Sequence, residues 1–151
     1  MDVTGFAGMD GLSVLQGVRD GSVSQVEGLH KTLDIHLAHV ARGEVHFSGA
    51  PGHAHRNPHG TVHGGWYLAM LDAAMGLAVF SMQSASTMSS TLTLEAKIIR
   101  PLTLEATYRA EARVTHSGRS TAHAEAIMRD VQSGKTVATA TSTFAVFARP
   151  E

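Results

Sequence analysis

Two periodicities divide the chain. Apolar residues at Leu12, Val14, Leu15 and Val18 have a rough helical spacing. From Lys31 the period shortens to two. In KTLDIHLAHVARGEVHFSG, Leu33, Ile35 and Leu37 alternate with Thr32, Asp34 and His36, and Val45 and Phe47 alternate with Glu44 and His46. Ala41 to Gly43 can turn the chain between these runs, so an antiparallel hairpin is predicted. Gly49 to Gly65, dominated by Gly, Pro, His and Asn, reads as a loop. From Gly64 to Met82 the only charged residue is Asp72. This run predicts a helix that is apolar on every face and ends near Ser81 to Ser84. The remainder is strand-like: Thr91 to Leu102, Thr107 to Gly118, Ser120 onward with a turn at Gln132 to Gly134, and Thr136 to Pro150.

The predicted order is therefore two strands, one long helix and four strands. A helix apolar all round must be surrounded. One antiparallel sheet of about six strands, curled around that helix, does this, and a second subunit can cover what remains. The fold class is α+β, divided into an N-terminal helical or irregular cap over residues 1–28 and a main domain over 29–151. No internal repeats, low-complexity tracts or linkers interrupt it.

Composition narrows the function. The 151 residues fit one domain, and 43% hydrophobic with 17% charged residues is a globular balance. A formal net charge of −1 argues against a general nucleic-acid or membrane-surface binder. With no cysteine, disulfides, thiolate zinc sites and thiol nucleophiles are excluded. MDVTGFAGMDGLS lacks a basic stretch followed by an apolar one, so no signal peptide is read there and a cytoplasmic location is expected. Gly64 to Met82 approaches the ~20 residues of a membrane span. Its central acid, its Ala and Gly content and the absence of Lys or Arg at its flanks favour a buried soluble helix instead.

Candidate chemistry gathers where loop becomes helix, in NPHGTVHGGWYLAMLD. His63, Gly64 and Gly65 fall at the helix start, where unpaired N–H groups and a partial positive charge favour an oxygen gaining negative charge. Glycine there lets a ligand approach the backbone, although Gly-Gly also simply permits a tight turn. Asp72, in apolar surroundings, is either satisfied by a neighbouring donor or functional. It lies eight residues past Gly64, about 12 Å along the helix axis. One helix cannot bring both groups to one carbonyl, but an antiparallel helix from a two-fold-related subunit can. That pairing predicts a dimer with sites at the interface: Gly64 of one chain polarises a carbonyl and Asp72 of the other attacks it or activates water.

Other clusters say less. His53, His55, His59 and His63 share a loop, but without Cys, Asp or Glu nearby or a zinc-type spacing, so no metal is expected. No phosphate-binding glycine loop and no G-x-S-x-G elbow appears. In the turn HSGRST, Arg119 beside Gly118 and Ser120 can meet a phosphate or stand as a solvated hairpin arginine.

The segment NPHGTVHGGWYLAMLDAAMG resembles the signature of hotdog-fold thioesterases of the phenylacetyl-CoA (PaaI) and Arthrobacter-type hydroxybenzoyl-CoA groups. Asn57, Gly60, His63, Gly64, Gly65 and Asp72 fill its places, and the strand ending in Arg100-Pro101 and the turn HSGRST are similar too. The resemblance runs from about Lys31 to Arg149. It implies a hotdog subunit, a homodimer as the minimal active unit that often forms a homotetramer, and hydrolysis of an acyl-CoA to an acid and free CoA without cofactor or metal. It implies that Gly64 polarises the carbonyl, that Asn57 and His63 help place the thioester, and that Asp72 is nucleophile or general base. It implies that Gly65, His59, Trp66 and Thr91 belong to the substrate site, and that Gly118, Arg119 and Ser120 lie near the CoA nucleotide. Some relatives carry a hydroxyl where Gly76 stands; here Ser89, Ser90 or Thr91 would have to supply it. A hotdog-fold hydratase or dehydratase, and a non-catalytic acyl-CoA binder, are the competing readings. The acyl group, and CoA as against a carrier protein, are not readable from the chain.

Overall fold

The computed structural model describes residues 8–24 and 27–149. The parts of the expected cap at 1–7 and 25–26 lie outside the described residues. The elements run α1 (Gly11–Asp20), α2 (Leu29–Thr32), β1 (Ile35–Ala41), β2 (Glu44–Gly49), a 3-10 turn (His53–His55), α3 (Gly64–Phe80), β3 (Thr87–Ile98), β4 (Tyr108–Ser117), β5 (Thr121–Asp130) and β6 (Thr136–Ala148). The six strands form one antiparallel sheet in the order β1-β2-β4-β5-β6-β3, wrapped around α3. This is the hotdog fold.

The inner face of the sheet explains how a helix fits inside it. Ala110, Ala112, Ala124, Ala126 and Ala140 are buried there, with larger Phe47, Met128 and Phe144 at intervals. On α3, Ala74 and Ala78 are also buried. Short side chains on both surfaces let the helix lie close against the strands, and the bulky residues fill the spaces between. The outer face alternates to polar residues, such as Arg113 and Glu125, paired across β4 and β5.

Two expectations of extent change. The hairpin does not start at Lys31. Residues 29–32 form a helical turn, Leu33 donates its N–H to the Leu29 carbonyl, and Asp34 takes a positive φ of 54° before β1 begins at Ile35. The period-two pattern of Leu33 survives, but Leu33 closes a turn instead of joining a ladder. At the other edge, β3 begins at Thr87 and leaves the sheet after Ile98, before Pro101, which has no N–H to contribute. Gly43, at φ 75°, closes the β1–β2 turn, as the ARG segment suggested.

Nor is α3 enclosed on every side. Trp66, Tyr67, Met70, Leu71, Met75 and Val79 are buried, whereas Leu68, Ala69, Asp72, Ala73, Gly76 and Leu77 are half-buried. These positions follow the i, i+3, i+4 rule and form one stripe. Packing α3 into the sheet uses one side of the helix and leaves this stripe towards the gap between the sheet's two edges. The N-terminal cap covers part of that gap. Its helix α1, capped by Asp10 through the Ser13 N–H at 2.8 Å, packs on β1 and α3. No helix among the described residues is long and apolar enough to cross a membrane.

Candidate active site

Of the residues singled out from the sequence, Asp72 with Thr91 and Gly64 border two cavities at different points along α3. The first, of about 370 Å³, includes Asp72, Ala73 and Gly76 of α3, Thr91 of β3, Leu37 of β1 and Phe47 of β2. The sheet's curl brings its opposite edges to the two sides of this one space. Asp72 therefore does not stand in sealed hydrocarbon, as the sequence suggested. It sits on the half-buried stripe, where a carboxylate reaches the cavity without full desolvation. Thr91 Oγ1 donates to Asp72 Oδ1 at 3.0 Å. Of the three hydroxyls left open by the sequence, Thr91 is the one in contact with Asp72. A break in the β3–β6 register between Thr91 and Thr93 accompanies it, and such bulges re-aim side chains.

The second cavity, of about 320 Å³, lies at the helix start. Thr61, Val62, Gly64, Tyr67, Ile98 and Pro101 line it. His63 caps α3 with extended backbone and accepts the Gly65 N–H at Nδ1, 2.8 Å away. Among the described residues the Gly64 N–H, at the first helical position, has no acceptor. A Cβ at Gly64 would meet only Ile98 Cδ1, at 3.6 Å.

Asn57 organises the approach to this helix start. Its Oδ1 accepts the His59 and Thr61 N–H groups at 2.9 and 3.2 Å, and its Nδ2 donates to Thr61 Oγ1 at 2.8 Å. All these partners lie within its own loop. His59 is exposed on that loop. The loop histidines serve separate partners: His55 accepts the Gly52 N–H and contacts the Thr32 carbonyl, while His63 caps α3.

Trp66 does not line the cavity beside Asp72. It is 2% exposed, packs edge-on against Tyr108, and donates its indole N–H to the Leu33 carbonyl at 3.0 Å. A buried indole needs an acceptor for its N–H, and the turn before β1 provides one. Tyr67 is likewise structural: it accepts the buried Leu102 N–H at 2.8 Å and donates to the Arg100 carbonyl at 3.2 Å. Burial raises its pKa above the usual 10.0. Trp66, which the resemblance assigned to the substrate site, thus belongs to the core. The cavity walls come instead from Leu15 and Val18 of the cap and from Leu37 and Phe47, which only the tertiary fold assembles.

The turn at Gly118 to Ser120 joins β4 and β5. Thr121 pairs with Ala145, and Ala145 pairs with Ser90, the residue before Thr91. Two strand spacings, about 10 Å, separate the turn's end from the strand that carries Thr91. Arg119 is exposed there.

Comparisons agree with this architecture. A family model described as the thioesterase superfamily matches residues 59–137. A thioesterase family protein from Silicibacter pomeroyi is 26% identical, with 89% of this chain and 98% of that chain covered, at a TM-score of 0.76. A variant of the phenylacetic acid degradation protein PaaI from Thermus thermophilus is 28% identical, with 79% and 98% covered, at a TM-score of 0.72. The E. coli PaaI protein, of the phenylacetic acid degradation operon, is 20% identical, with 90% and 95% covered, and shares the fold at a TM-score of 0.78. No curated protein matches.

Proposed function

This chain belongs to the thioesterase superfamily and is a thioester hydrolase, and from that premise we propose that it cleaves aryl or short-to-medium acyl-CoA thioesters at a site completed by a second copy of itself. The observation that carries this reading is the Asp72–Thr91 hydrogen bond at the mouth of an apolar cavity. The threonine fixes one carboxylate oxygen and leaves the other free for chemistry. Asp72 adds to the thioester carbonyl carbon, or takes a proton from water as the water oxygen adds. The carbonyl oxygen gains negative charge, a free helix-start amide stabilises it, and the C–S bond breaks with CoA leaving as its protonated thiol. On the water route this yields the acid directly; on the nucleophile route it leaves an acyl-Asp72 anhydride that a water then hydrolyses to the acid and free Asp72.

Within one chain that amide lies about 12 Å from Asp72. Geometry along β3 suggests how a dimer closes the distance. β3 is an edge strand, with Leu92 and Ile98 exposed at 59% and 48%, and a long apolar edge invites pairing. Thr91 touches Asp72, while Ile98 lies against Gly64. If β3 pairs antiparallel with a copy of itself, Thr91 opposite the partner subunit's Ile98, then Asp72 faces the partner subunit's Gly64. The same two-fold covers the half-buried stripe of α3. His63 and Asn57 hold the helix start in place, and Arg119 with Gly118 and Ser120 meets the CoA phosphates. Two such dimers form the tetramer, in the cytoplasm. No metal or cofactor is required by this route.

The test is thiol release from a panel of aryl and alkyl CoA thioesters, beside enoyl-CoA hydration as the competing activity. Asp72→Asn is expected to remain a folded dimer and to lose about 10²–10⁴ in kcat, the usual contribution of a positioned acid or base. A fully active Asp72→Asn protein would end the mechanism; hydration without thiol release would point to the hydratase reading.

A further inference from the structure

Gly76 is the residue of α3 that folding does not explain. Glycine inside a helix is less favourable than alanine because it loses more backbone freedom and adds no side chain to the packing. A Cβ at Gly76 would meet nothing closer than Phe144 Cε1 at 3.6 Å, an ordinary contact, and the backbone there is plain helix. Neither crowding nor backbone conformation demands glycine.

Gly76 lies one turn past Asp72 on the same face and lines the same cavity. The missing side chain leaves space open immediately beside the carboxylate. Val18 of α1, half-buried, and the buried Leu15 line the same cavity from the cap. α1 is held there firmly: the Gly11 N–H donates to the Gln83 carbonyl at 3.0 Å, and Gly11 itself lies against the Phe80 backbone. The cavity's size is thus set from two sides, by an absent side chain on α3 and by the cap.

Its charge is one-sided. Asp72 and Glu27 line the cavity, with His30 and Ser24, while no Lys or Arg lines it among the described residues. Lys31 pairs with Glu27, both side chains being largely exposed. A second carboxylate on the acyl group would meet the charge of Asp72, with no Lys or Arg lining the cavity to offset it among the described residues.

Resting on the proposed thioesterase reading, we propose that this cavity is the acyl pocket, with Gly76 and Val18 as specificity-determining residues that admit an uncharged single-ring or medium-chain acyl group. Within one chain its volume of about 370 Å³ is near the lower end of the roughly 300–1,000 Å³ of small-molecule pockets, which matches a single ring or medium chain better than a long one. An acetyl group would leave the walls uncovered, and each unburied methylene forfeits roughly fourfold in binding.

The experiment measures kcat/KM by thiol release for acetyl-, hexanoyl-, phenylacetyl-, palmitoyl- and succinyl-CoA. It uses the full-length wild type, Gly76→Ala, Val18→Phe and Asp72→Asn, with Tm recorded for each. The wild type is expected to favour phenylacetyl- or hexanoyl-CoA at least tenfold over the other three. Gly76→Ala is expected to lower the phenylacetyl-to-acetyl ratio at least tenfold, the scale of one misplaced methylene or methyl in an apolar pocket, with Tm unchanged or raised. Val18→Phe is expected to shift the ratio in the same direction from the cap's side of the cavity. An unmoved ratio in both variants overturns the inference, as does succinyl- or palmitoyl-CoA being cleaved as well as phenylacetyl-CoA; in either case an inactive Asp72→Asn leaves the thioesterase reading standing. A wild type that releases thiol from none of the five, or an Asp72→Asn protein as active as wild type, overturns both.

Discussion

At the scale of single residues, the molecule separates groups that hold the fold from groups free to react. Tyr67 is of the first kind. Its hydroxyl satisfies the buried Leu102 N–H, so Tyr67→Phe strands that donor and is expected to destabilise by about 1–3 kcal/mol, measured by denaturant unfolding. The same residue gives a pH signature. Burial raises the Tyr67 pKa above 10.0, so the unfolded chain loses this proton at lower pH than the folded one. The stability it contributes is full below pH 10 and declines as pH rises further, and Tyr67→Phe is expected to remove this part of the alkaline decline. Asp72 is of the second kind, with one oxygen held by Thr91. It stood out in the sequence because a lone acid in an apolar run is conspicuous. The identity of its partner did not, because Ser89, Ser90 and Thr91 are consecutive and only the local register of β3 decides which one reaches it.

At the scale of elements, α1 is the piece of the expected cap whose contacts the sequence left open. It docks on β1 and α3 through buried Val14 and Leu15 and through Gly11. A Cβ at Gly11 would lie 1.8 Å from the Phe80 carbonyl oxygen. Because the obstacle is backbone, Gly11→Ala forces α1 away. The expected outcome is about 1–3 kcal/mol of destabilisation and faster amide exchange across 11–20, read by hydrogen–deuterium exchange. Normal protection of that helix would mean the cap is held by other contacts. The strands and α3 were legible from periodicity because burial on one face enforces it. Their ends were less so: Leu33 keeps the alternation of a strand while closing a helical turn, since a buried side chain satisfies either pattern.

At the scale of the whole molecule, the proposed mechanism draws on more than one chain. Gly64 and Asp72 border separate cavities, so two defective proteins should repair each other. Gly64→Pro removes the N–H and leaves the helix start in place: its Cβ would make only an ordinary contact with Ile98 Cδ1, proline is favoured at the first helical position, and His63, at φ −65° and ψ 137°, already has the extended backbone that a following proline requires. Gly64→Pro and Asp72→Asn alone are each expected to be nearly inactive. Unfolded together and refolded as a 1:1 mixture, they are expected to recover about a quarter of wild-type activity, because half of the dimers are mixed and each mixed dimer carries one intact site. No recovery despite mixed dimers in native mass spectrometry would place both groups in one chain's site.

The sequence by itself determined the order of elements, the helix start with its glycine amides, and the isolation of one acid within an apolar helix. These follow from local rules, namely side-chain period, glycine and proline chemistry, and the penalty for an unpaired charge. The tertiary structure decided what those residues face. Curling the sheet set Leu37 and Phe47 from one edge across from Thr91 at the other, laid α1 over the opening, and turned Trp66 and Tyr67 into the core. Those neighbours are far apart in sequence, and their meeting depends on strand order and register, which no single segment of the chain encodes.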